Sequence, residues 1–141
     1  MNKKTVFLAF LALLCVGNIF AANNATLTLN ITGVAVNEGK IYVRLYSNEK
    51  DYKKDVPHTT FSLESASKSI THSFSIPKGE YLIAIFQDTN KNRMLDTNLI
   101  GLPTEPVGLS NYNGGIPGGF NKHKIQINAG TNKIAINLGK I

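Results

Sequence analysis

Ile41-Tyr42-Val43-Arg44-Leu45-Tyr46 alternates an aliphatic side chain with an aromatic or charged one at every step. Successive side chains of an extended chain point to opposite faces, so the stretch predicts a strand with Ile41, Val43 and Leu45 inward and Tyr42, Arg44 and Tyr46 outward. The same period of two recurs on both sides. Leu27, Leu29 and Ile31 alternate with Thr and Asn, and Ile70, His72, Phe74 and Ile76 alternate with Thr and Ser. Tyr81-Leu-Ile-Ala-Ile-Phe86 is apolar on both faces, which marks a central strand, and Pro77-Lys-Gly79 is the turn that feeds it. A weaker strand is expected over residues 59–63. Near the C-terminus Ile125 and Ile127, then Ile134, Ile136 and Leu138, are expected to pair as a hairpin through Asn128-Ala-Gly-Thr131.

No stretch sustains a helical period. About seven short strands without helices predict an all-β chain, a single immunoglobulin-like or prealbumin-like β-sandwich with a long loop before the C-terminal hairpin. Its core is expected to include Leu29, Val43, Leu45, Ile83, Ile85 and Ile136.

The N-terminus bears on compartment. Met1-Asn-Lys-Lys4 is a short cationic start, residues 6–16 are apolar, and Ile19-Phe-Ala-Ala22 supplies small residues for cleavage. This is the layout of a secretory signal peptide over residues 1–22, cut after Ala21 or Ala22, leaving residues 23–141 as the sandwich domain. The apolar run falls short of the roughly 20 residues a membrane span needs, so the mature chain is expected in the periplasm or outside the cell, with no membrane span. Cys15, the single cysteine, lies in the discarded segment. Leu14 precedes it where a lipoprotein signal has a small residue, so lipid attachment is not expected. The mature domain then has neither a disulfide nor a cysteine metal site. Removing Lys3 and Lys4 takes two charges from the net +6 and leaves +4, with Lys53-Lys54 the one adjacent lysine pair of the mature chain. A nucleic-acid surface needs a basic stripe with interleaved aromatics, which this scatter does not provide.

The chemistry concentrates in residues 88–121, a connection too long for a mere link in a small domain. Its first part, Asp88-Thr-Asn90-Lys-Asn92-Arg-Met94-Leu-Asp96, places oxygen-bearing groups at alternate positions. In an EF-hand-type loop such residues at positions 1, 3, 5 and 9, with a backbone carbonyl at 7, turn inward on one calcium ion. Here those places are Asp88, Asn90, Asn92, the Met94 carbonyl and Asp96, and Glu105 offers a more distant carboxylate. The second half departs: Arg93 stands where the loop wants Gly, and Leu99 where it wants a bidentate Glu. Asn and Asp also make good turns with no ion, by bonding their own backbone. Calcium site and polar turn both remain open on the residues alone.

Enzyme motifs are weak. Gly108-Leu-Ser110-Asn-Tyr112 approaches a nucleophile elbow but ends in Tyr and lacks the strand-to-helix setting. His58, His72 and His123 show no zinc-binding spacing. His72 is expected to pack in the core, His58 and His123 to be solvated at strand ends, and Ser110-Asn111 to form a turn or cap. The glycines between positions 114 and 119 lack the Gly-Lys-Ser/Thr ending of a phosphate loop, and Tyr112, Ile116 and Phe120 are expected to pin the segment to the sandwich.

Gly39-Lys-Ile-Tyr-Val-Arg-Leu-Tyr46, Pro77-Lys-Gly-Glu-Tyr-Leu-Ile-Ala-Ile-Phe-Gln-Asp88, Asn90-Lys-Asn92, Leu95-Asp-Thr-Asn98, Gly101-Leu-Pro103, Glu105 and Gly108-Leu-Ser-Asn111 together resemble a bacterial secreted family, domain of unknown function 2141. The resemblance spans about residues 39–138. It implies a secreted sandwich and a shared loop and carries no activity. Two positions depart from the family's pattern: Gln87 stands in place of a usual His, and Arg93 in place of a usual Gly. Retention of the Asp and Asn positions without that His fits an ion-binding or structural loop better than histidine chemistry.

Two function classes follow. One is a periplasmic or secreted, non-enzymatic binding module, stabilised by calcium, whose long loop contacts a protein or glycan at the cell envelope. The alternative is a hydrolase or sugar-processing enzyme using Asp88, Asp96 and Glu105 as acid and base, which needs one carboxyl with a raised pKa in a cleft.

Overall fold

The computed structural model describes residues 23–141, so the expected signal peptide and Cys15 lie outside the described residues. Among the described residues no helix is long and apolar enough to cross a membrane.

Within the described residues, eight strands and two short helices follow one another as β1 (Asn24–Thr32), β2 (Lys40–Tyr46), α1 (Glu49–Lys53), β3 (Thr59–Glu64), β4 (Ser69–Pro77), β5 (Gly79–Asp88), β6 (Val107–Leu109), α2 (Phe120–His123), β7 (Ile125–Ile127) and β8 (Thr131–Asn137). They form two sheets, as an all-β sandwich requires. One has the order β4-β1-β8 and the other β3-β2-β5-β6, with β7 paired to β5 as well. In the first sheet β1 runs antiparallel to β4 and parallel to β8, and Leu29 lies opposite His72 on one side and Ile134 on the other. In the second, β5 is central. Its residues 82–88 pair with the whole of β2, from Lys40↔Asp88 to Tyr46↔Leu82, while its other edge takes β7 at residues 79–81 and β6 at residues 84–86. Residues 81–86 are apolar on both faces because Tyr81, Ile83 and Ile85 face the core, while Leu82 and Ala84 on the other face are covered by Tyr46 and Phe120.

The inward side chains meet as the alternation requires. Leu27, Leu29, Ile31 and Ile136 from one sheet pack against Ile41, Val43, Leu45, Ile83 and Ile85 from the other, all at or below 3 % exposure. Each such side chain contributes roughly 1.5–3 kcal/mol on burial, so this layer dominates stability. All six core residues expected from the sequence are in it.

The expected C-terminal hairpin is not formed. β7 joins the five-stranded sheet and β8 the three-stranded one, so residues 128–130 carry the chain across the sandwich. The reason is burial. β8 in register with β1 brings Ile136 opposite Ile31 in the core layer and gives β1 its second partner, whereas pairing with β7 would leave an edge of β1 open. A two-sided bridge between Val107 and Gly139 then ties the end of the chain to β6 and closes that side of the sandwich.

Tyr46 is outward on β2, as expected, but not solvated. It is 3 % exposed and packs with Leu82 and Phe120 in a second cluster on the outer side of the five-stranded sheet. The two helices are too short to leave a helical period in the sequence. α1 is capped by Asn48, whose side chain accepts the Asp51 N–H, and is joined to α2 by the Glu49 carboxylate, which accepts the Phe120 N–H at 2.7 Å. Of the residues expected to pin the 112–120 segment, Phe120 does so; Ile116 is 82 % exposed and does not.

Candidate functional site

β5 ends at Asp88, which is 2 % exposed. Two features fix that end. Gly39, in the left-handed region at φ +75°, lies so close that a Cβ there would overlap the Asp88 carbonyl oxygen, so no other residue fits. Gln87 is fully buried and clamps the turn between β1 and β2: its Nε2 donates to the carbonyls of Ala35 (2.6 Å) and Glu38 (2.8 Å), and its Oε1 accepts the Ala35 N–H (2.9 Å). Gln87 thus acts here as a structural amide.

From this anchor the chain coils around the Asp88 carboxylate. Oδ1 accepts the Asn92 N–H at 3.0 Å and Oδ2 the Arg93 N–H at 2.8 Å. Asn90 Oδ1 accepts the Asn92 N–H and Asn92 Oδ1 the Met94 N–H, two successive Asx turns. Lys91 and Arg93 take left-handed conformations, φ +64° and +67°. Position 6 of a calcium loop needs that conformation, and Arg93 adopts it at a strain of about 1 kcal/mol relative to Gly.

The loop closes on two carboxylates. The side-chain amides of Asn90 and Asn92 both donate to Asp96, the latter at 3.0 and 2.9 Å to its two oxygens. Glu105 does return to the loop, as a clamp on its two ends: Oε1 accepts the Thr89 N–H at 2.8 Å and Oε2 the Asp96 N–H at 3.3 Å. It is 3 % exposed. Asp88, Asn90, Asn92 and Asp96 are therefore brought into one hydrogen-bonded group, with Glu105 bonded to its edge. Met94 contributes its N–H to that group and leaves its side chain 62 % exposed. No cluster of three or more His, Cys, Asp or Glu side chains suited to a metal occurs among the described residues; the expected set relies on Asn and carbonyl oxygens beside two Asp.

Ser110 and His123 lie together, fully buried, yet not as a nucleophile and base. Ser110 Oγ donates to the His123 carbonyl at 2.6 Å and accepts the Ile83 N–H at 3.0 Å. His123 Nε2 accepts the Gly118 N–H at 3.0 Å, so Nδ1 carries the proton and donates to the Ser110 carbonyl at 3.2 Å. Every polar atom of the pair is spent on backbone. The expectation of a solvated His123 is corrected: α2 turns it inward as the peg that docks the 110–124 segment on β5. The sequence signal for this was the polar Ser110 beside the apolar Val107 and Leu109. His58 is exposed, as expected; His72 is half-buried against Phe61 and Phe74 at the margin of the core and not within it, which corrects its expected core placement.

Two recesses flank the loop on the outer face of the five-stranded sheet. One, of about 800 Å³, is lined by Lys40, Tyr42, Ser62 and Glu64 with Lys91 and Arg93 from the loop. The other, of about 460 Å³, is lined by Arg44, Tyr46, Tyr52, Asp55 and Phe86 with Met94 and Leu95. In the second, Arg44 pairs with Asp55 and lies over the Phe86 ring at 5.2 Å. Burial, with help from the Asp55 carboxylate to which it donates, pushes the Tyr46 phenol well above its usual value. Neither recess was foreseen from the sequence, because its residues are scattered over four or more segments.

Residues 29–135 match a bacterial family, DUF2141, described as uncharacterised proteins conserved in bacteria. The chain belongs to DUF2141. The match starts within β1 and ends within β8, so it covers strands of both sheets and the whole loop of this chain. No curated protein and no solved structure matches the chain.

Proposed function

We propose that this DUF2141 chain is an exported, non-enzymatic binding module whose 88–105 loop is set by calcium for contact with a protein or glycan of the cell envelope. The observation that carries the reading is the convergence of Asp88, Asn90, Asn92 and Asp96 within a coil that already has the left-handed turn at Arg93. The side-chain N–H groups directed at Asp96 mark where positive charge is wanted. A cation takes that place when the Oδ1 atoms of Asn90 and Asn92, which have a second lone pair beyond their Asx turns, shift toward it in place of the amide N–H groups, with the Met94 carbonyl and an Asp88 oxygen completing the set. Glu105, spent on two backbone amides, holds the loop ends together around the ion. Met94, Leu99 and Ile100, at 62, 106 and 79 % exposure, give the ordered loop an apolar contact surface.

The enzyme reading has less support. An acid or base must reach substrate, and Asp88 and Glu105 are buried with their oxygens turned to backbone amides.

Two certain carboxylates imply weak affinity, on the order of 10⁻⁴–10⁻³ M as in extracellular modules. Calcium titration followed by calorimetry and by amide NMR of the loop tests the proposal. Saturable shifts confined to residues 88–105 are expected with calcium and not with an equal concentration of sodium; an unchanged spectrum returns the loop to a polar turn.

A further inference from the structure

The larger recess carries an inference independent of the cation reading. Lys40 from β2 and Lys91 and Arg93 from the loop line it together, although they are far apart in the sequence. Lys40 is paired with Glu64 at 2.8 Å, whereas Lys91 and Arg93 make no ion pair among the described residues. The other carboxylate on the wall, Asp88, is occupied by the Asn92 and Arg93 amides. The lining therefore carries three cations against two carboxylates, one positive charge in excess, with Lys91 and Arg93 the two cations that make no ion pair among the described residues. Arg93 is near enough to Lys40 to oppose its protonation, while the hydrogen bond and charge of Glu64 raise the Lys40 pKa more strongly.

Both free cations sit on left-handed backbone. A turn needed only for its shape is met without strain by glycine; strain held at two alternate positions that each carry a cation points to a use for the charge. Beside them lies an aromatic wall: Tyr42 lines the recess and stacks on Phe86, ring centroids 5.1 Å apart and 14° from parallel. Asn37 and the Ser62 hydroxyl add neutral hydrogen-bonding groups. A planar, bidentate cation beside an aromatic face and hydroxyl-bonding groups suits an oxyanion attached to a sugar ring.

We propose that this recess binds an anionic sugar residue, its carboxylate or phosphate held by Arg93 and Lys91 and its ring laid against Tyr42. Because glycine suits the backbone at 93, Arg93→Gly removes the charge without a folding cost, which makes it a clean test. Isothermal titration with glucuronate, glucose 6-phosphate, glucose and inorganic phosphate reads the outcome. At least one charged sugar is expected to bind, more tightly than inorganic phosphate, with glucose silent; which one binds tells carboxylate from phosphate. Arg93→Gly and Tyr42→Leu are each expected to weaken that binding about tenfold. Arg93→Gly should not lower the melting temperature, and its calcium response should be kept or strengthened. Binding of neither charged sugar, equal binding of glucose or of inorganic phosphate, or full binding by Arg93→Gly overturns the proposal. Sugar binding that persists in a protein with no calcium response would instead overturn the calcium reading alone.

Discussion

The sandwich interior and the 88–105 loop are held by opposite means. Between the sheets, Leu, Ile and Val side chains from two layers touch one another and exclude water. In the loop, Asp88, Asn90, Asn92, Asn98 and Glu105 bond backbone amides of the loop itself, and large apolar side chains such as Leu99 point out. The first kind of order is indifferent to ions and mild changes of pH; the second depends on the charge of a few carboxylates. Functional adaptation is therefore expected in the loop, on a frame that need not change with it.

The largest effect should come from the frame. Ile83→Ala opens a cavity between the sheets and is expected to cost about 2–5 kcal/mol, by urea unfolding, with or without calcium. A loss that varies with calcium would mean the two regions are not separately held. Glu105→Ala should act on the loop alone. It strands the Thr89 and Asp96 amides, costing about 1–3 kcal/mol locally, visible as faster hydrogen exchange at residues 88–105 and none at residues 27–31. Equal acceleration in both would erase the distinction.

Alternation made the frame legible, because Ile41, Val43 and Leu45 could point only one way together. It could not tell which strands pair across a sheet: β7 and β8 each have an apolar face, and the partner of each was decided by what β1 and β5 had left open. The Asp and Asn positions of the loop were legible by spacing, and Glu105 as a remote carboxylate. Its role as a clamp on Thr89 and Asp96 was not, since backbone amides leave no trace in sequence. His123 was misplaced because a helix of four residues shows no period.

A smaller effect concerns pH. The Tyr46 phenol is held above its usual value by burial and by its bond to Asp55, so the folded state keeps a proton that the unfolded chain gives up near pH 10. Its contribution is full below about pH 10 and is lost as pH rises beyond it. Tyr46→Phe should thus flatten the alkaline decline in stability while costing about 0.5–1.5 kcal/mol at neutral pH for the lost hydrogen bond. The smallest effect is expected at Glu49, whose carboxyl is held below its usual value, first by the Lys53 hydrogen bond and also by the Phe120 amide. Its contribution is present above the ordinary Glu range and fades as pH falls through the lowered value. Glu49→Gln should remove that acid dependence without moving the loop.

The most direct test of the calcium-set loop is a pair of melting curves, in calcium and in chelator, for the native chain and for Asp96→Asn. This substitution keeps the shape at 96 and removes the charge on which Asn90 and Asn92 converge. At calcium about 100 times the dissociation constant, the native chain should gain about 2.7 kcal/mol and melt several degrees higher, and Asp96→Asn should lose most of that gain. Identical curves with and without calcium for the native chain, or an undiminished gain in Asp96→Asn, would contradict the account.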